Sequence, residues 1–111
     1  MFKWATAVGL AIVALASGRA FALESSGAQT VTEMGCDNAD TICHVTISGS
    51  AVGSTVGCPS NTIVWDVASD ANGKVTYTSL LAAFIAGKQV TIFITSCMSG
   101  LPTISYYQIS S

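Results

Sequence analysis

Thr76-Tyr77-Thr78-Ser79-Leu80-Leu81-Ala82-Ala83-Phe84-Ile85-Ala86 is the stretch that decides how the rest of the chain is read. Tyr77, Leu80, Leu81, Phe84 and Ile85 recur at i, i+3, i+4, i+7 and i+8, the spacing of one helical face. Thr76 or Thr78 is placed to cap the start. Gly87 suits the left-handed position after the end, and Lys88 sits where the helix dipole favours a cation. An isolated helix of this length does not hold in water, so its apolar stripe is expected to close a core.

Strands are expected on both sides. Upstream, Asn61 to Ala68 alternates with Ile63, Trp65 and Val67 on one face, and Ile42 to Ser48 with Cys43, Val45 and Ile47. Gln29 to Met34 alternates around Val31 and reads as the first strand, after a polar lead-in from Leu23 to Ala28 expected to be mobile. Downstream, Gln89 to Thr95 places Val90, Ile92 and Ile94 on one face, and Thr103 to Ile109 follows Pro102 as the last strand. The fold class is therefore mainly β with one helix. Five strands with the helix between the third and fourth is the element order of an OB-fold, a small Greek-key barrel; a split sandwich with one helix is the alternative.

The first residues read differently. Met1-Phe2-Lys3-Trp4, an apolar run from Ala5 to Ser17 and Ala20-Phe21-Ala22 form the pattern of a bacterial secretory signal peptide, 1–22. The working protein is then one domain, 23–111, secreted or periplasmic. It holds two lysines against six acids, a net charge of −4 with His44 neutral. Two cations cannot replace the counterions of a nucleic acid, and they give an anionic membrane no purchase. No cofactor or metal is expected: there is one histidine and no Cys-x-x-Cys. Cys36, Cys43, Cys58 and Cys97 read as two disulfides. Cys36 and Cys43 flank a short hairpin loop, which favours pairing them and leaves Cys58 with Cys97. Cys43 with Cys58 and Cys36 with Cys97 is the rival scheme.

The run from Cys43 through Cys58 to Asn61-Thr62-Ile63-Val64-Trp65, continued by Leu80-Leu81-Ala82-Ala83-Phe84 and Gly87-Lys88-Gln89-Val90-Thr91-Ile92, resembles the B subunits of subtilase-cytotoxin type. The resemblance covers about half of 23–111. It implies an OB-fold, assembly into a ring of five and binding of host glycans, with or without a separate exported partner. The other readings are a stand-alone exported protein-binding or inhibitory module, and a small hydrolase.

Asp37, Asn38 and Asp40 lie in the loop expected between the first two strands, beside the usual ligand face of an OB-fold, and their groups match sugar hydroxyls. Trp65 shares a face with Ile63 and Val67 and is expected in the core. Phe93 faces away from Ile92 and Ile94, either as a subunit contact or under the barrel's own loops. Tyr106-Tyr107 puts one ring on each face of the last strand; Tyr107 is taken with Phe93 as the interface pair. Asp70-Ala71-Asn72-Gly73 reads as a turn, since the later bidentate Glu of a calcium loop is missing. No catalytic residue is assigned: His44 is the sole histidine, and no Gly-x-Ser-x-Gly elbow accompanies it.

Overall fold

A computed structural model describes residues 23–111; the signal-peptide reading of 1–22 lies outside the described residues. The order is β1 (Glu24–Ser25), β2 (Gln29–Cys36), β3 (Ile42–Ile47), a single 3-10 turn (Ser54–Val56), β4 (Thr62–Asp66), α1 (Gly73–Ala86), β5 (Gln89–Met98) and β6 (Leu101–Ser110). The described residues are mainly β with one helix, as expected. Among the described residues there are six strands rather than five, in one mixed sheet ordered β1-β5-β2-β3-β4-β6, and β6 also pairs with β5. The β4–β6 pairing is parallel, with Val64 opposite Thr103; the others are antiparallel.

The added strand is β1, in the stretch expected to be a mobile lead-in. A side chain orders it. The Glu24 carboxylate accepts hydrogen bonds from the Gly53 N–H (2.8 Å), the Thr55 N–H (3.0 Å) and the Thr55 hydroxyl (2.7 Å). These bonds favour the ionised form, the Thr55 hydroxyl most, and lower the Glu24 pKa. They hold Glu24 and Ser25 against Ile94 and Phe93 of β5.

The alternations of β3 and β5 are as read. Cys43, Val45 and Ile47 are buried, as are Val90, Ile92 and Ile94, and they join Val31, Ile63, Trp65 and Leu80 in one core. Cys36 pairs with Cys43 across β2–β3, and Cys58 with Cys97. The favoured scheme holds and the rival does not.

The helix is in place, with Leu80 fully buried and Tyr77 packed on the core as the spacing predicts, but the rest of its buried face differs. Gly73, Thr76, Leu80 and Ala83 are buried against β2 and β5, while Phe84 and Ile85 stand exposed, Ile85 at 78%. The stripe is shifted by one residue, a rotation of about 100°. The helix is apolar on nearly all sides, so periodicity alone did not select a face. Close approach did, because small residues let α1 settle onto the sheet. At Gly73 a Cβ would lie 2.5 Å from the Val67 carbonyl oxygen, so the first turn needs glycine there. The helix starts earlier than Thr76, with Asn72 at its cap. Its end is as read: Gly87 is left-handed (φ 68°), with the Lys88 N–H on the Ala83 carbonyl (2.9 Å) and the Gly87 N–H on Phe84 (3.3 Å).

Candidate functional site

Asp37, Asn38 and Asp40 form the exposed tip of the β2–β3 hairpin, closed by the Cys36–Cys43 bridge. One oxygen of each carboxylate serves the loop itself. Asp37 Oδ1 accepts the Ala39 N–H and Asp40 Oδ1 the Ile42 N–H, both at 2.8 Å. These are Asx turns, and they account for the residue types without a ligand. Asp40 also borders a shallow hollow of about 270 Å³ with Cys36, Val67 and Lys74.

Phe93 is half-buried and stacks on Tyr106 across β5–β6, ring centroids 5.4 Å apart. Tyr106 is the outer tyrosine, 52% exposed, whereas Tyr107 packs on the core. The expected outward placement of Tyr107 is thus corrected. The cause is a bulge. Phe93 pairs with Tyr106 and Ile94 with Ile104, so Ser105 is an extra residue in β6. One extra residue reverses the side-chain parity beyond it.

His44 is half-buried on the outward face of β3, its Nε2 3.7 Å from Glu33 Oε2. Trp65 is 1% exposed, and its indole N–H donates to the Gly73 carbonyl at 2.9 Å. It anchors the start of α1 to β4 and is a core residue.

The bulge and this anchored helix start frame a recess. A cleft of about 880 Å³ opens between 70–76 and the β5–β6 hairpin, lined by parts of 70–76, by 95–98 and by 103–107, with Trp65 as its floor. Tyr106 is its exposed aromatic wall. Asp70 and Asn72 stand on one rim, and the Ser96, Thr103 and Ser105 hydroxyls on the other. Ser96 and Thr103 hydrogen-bond each other. Asp70 Oδ2 accepts the Asp66 N–H at 3.1 Å, and the Asn72 side chain makes no capping bond to α1. The volume is within the range of small-molecule sites, and the lining can stack and hydrogen-bond. Sequence reasoning missed Asp70, Asn72, Ser105 and Tyr106 as a group. Asp70 and Asn72 carried only a turn signal, and nothing local foretells which hairpin that turn faces.

Asp66, beside this rim, is the strongly shifted acid. The Thr41 hydroxyl (2.6 Å) above all, then the Ser69 N–H (3.1 Å), lower its pKa from 3.8 to about 2. A carboxylate whose folded pKa is depressed stabilises the fold above its unfolded value and loses that contribution as pH falls through the folded one. Stability should therefore drop between about pH 4 and pH 2, and Asp66→Asn should flatten that drop. Urea midpoints across this range test it; an equal fall in wild type and variant would contradict the assignment.

No protein-family model, curated protein or solved structure matches the chain.

Proposed function

We propose that this chain is a small exported binding protein, without catalytic activity of its own, that takes carbohydrate in the cleft beside Tyr106 and works as a homo-oligomer. The cleft carries the reading. It combines an exposed aromatic ring, a carboxylate, an amide and hydroxyls, the groups that meet a sugar's C–H face and its hydroxyls. An OB-fold-like barrel is the finer fold reading, supported by the pairing circuit β2-β3-β4-β6-β5-β2 with its parallel β4–β6 step. Two disulfides support an oxidising, extracytoplasmic location. The resemblance to toxin B subunits favours a ring of five and a host glycan. The exposed Val75, Phe84 and Ile85 of α1 supply apolar surface for subunit contact.

Oxidised 23–111 screened on immobilised glycans, with light scattering for mass, tests this reading. Tyr106→Ala is expected to weaken glycan binding about tenfold or more, the scale of a lost aromatic contact. Asp37→Ala with Asp40→Ala should leave it within about twofold, because one such step is small against that contact. Reversed effects would move the site to the hairpin tip. A blank screen with a monomeric mass would remove the proposal. The exposed Phe84 and Ile85 at the end of α1 favour a second reading, an exported module that binds another protein.

A further inference from the structure

We infer that the cleft selects uncharged sugars and rejects acidic ones; this rests on the carbohydrate reading above. Its charge pattern is one-sided. Asp70 is the sole charged residue among those lining it, and no Lys, Arg or His is among them. The Asp66 carboxylate does not join it: only the Asp66 N–H reaches Asp70, and the Asp66 Oδ1 accepts from Thr41, Ala68 and Ser69. The nearest cation in sequence, Lys74, lines the separate hollow with Asp40, and Lys88 lies beyond the opposite end of α1.

One feature favours an anion. The first turn of α1 has no acidic residue and no side-chain cap, so its amides present the positive end of the helix dipole. That end is equivalent to roughly half a charge. The full charge of Asp70 stands at the same rim and outweighs that half charge, so the local potential stays negative. A sialyl or uronyl carboxylate entering there would meet like charge with no guanidinium or ammonium to receive it. A neutral sugar meets the reverse situation. An ionised carboxylate only accepts hydrogen bonds, and sugar hydroxyls donate them. The Asn72 amide both donates and accepts, and the Tyr106 ring, held by Phe93, offers a face for the sugar's C–H side.

The test compares matched ligands that differ only in charge. Galacto-oligosaccharide is set against oligogalacturonide of equal length, and lactose against its sialylated form, by calorimetry at low and high salt. Wild type should bind each neutral member at least about tenfold more tightly, with the gap narrowing as salt screens the carboxylates. Asp70→Asn retains an acceptor for the Asp66 N–H and removes one charge, so it should narrow the gap at low salt. Equal or tighter binding of the acidic members would overturn the charge selection and leave the carbohydrate reading standing. Binding of neither class by oxidised, folded protein would overturn both.

Discussion

Trp65→Ala should cost about 3–5 kcal/mol, the scale of a buried aromatic removed from a core. Trp65 is 1% exposed and contacts both layers: it lies on β4, and its indole N–H satisfies the Gly73 carbonyl at the start of α1. Alanine there leaves a void and removes the indole's hydrogen bond to α1, and a domain of this size has only about 4–13 kcal/mol in total. Trp65→Phe fills most of the space and loses mainly the hydrogen bond, so about 1–2 kcal/mol is expected. Trp65 is the one tryptophan of 23–111, so wild-type fluorescence reports its burial directly. Urea unfolding followed by circular dichroism compares the three proteins. A loss below about 1 kcal/mol in the alanine variant would show that α1 does not depend on this anchor.

Removing the two disulfides should have unequal effects. Cys58–Cys97 closes a loop of sequence separation 39, and Cys36–Cys43 one of 7. Loop-closure entropy then assigns about 4 kcal/mol to the first and about 2.5 kcal/mol to the second. Paired alanine variants, compared by thermal melting with wild type, should fall in that order. Cys58→Ala with Cys97→Ala should come close to unfolding the domain. The opposite order would mean that residual structure in the denatured chain outweighs loop length.

What the sequence made legible was what depends on near neighbours. Ile42–Ile47 alternates without interruption, and its faces are as read. Gly87 ends the helix because a left-handed position is a local requirement. Cys36 and Cys43 pair because a hairpin puts them opposite each other. What failed depends on distant partners. Glu24 makes β1 a strand only because the Gly53–Thr55 amides lie within reach. The face of α1 was chosen by how closely Gly73, Thr76 and Ala83 approach the sheet, and no periodicity encodes that distance. Ser105 carries no bulge signal, yet it decides which of Tyr106 and Tyr107 is wet. The cleft inherits the last two effects, so its members never appeared as a motif.

The two bridges also set how the molecule would yield to a pull on its ends. Tension cannot travel through chain that a covalent link bypasses. β4, α1 and nearly all of β5 lie between Cys58 and Cys97, so Ile63, Trp65, Leu80, Val90, Ile92 and Ile94 are shielded from being drawn out. Only the leading and trailing strands and the β3 connection can pay out. At about 3.5 Å per residue, a fully extended 23–111 would reach about 300 Å when reduced and about half that when oxidised. The part that stays knotted together is the part that holds the floor of the cleft.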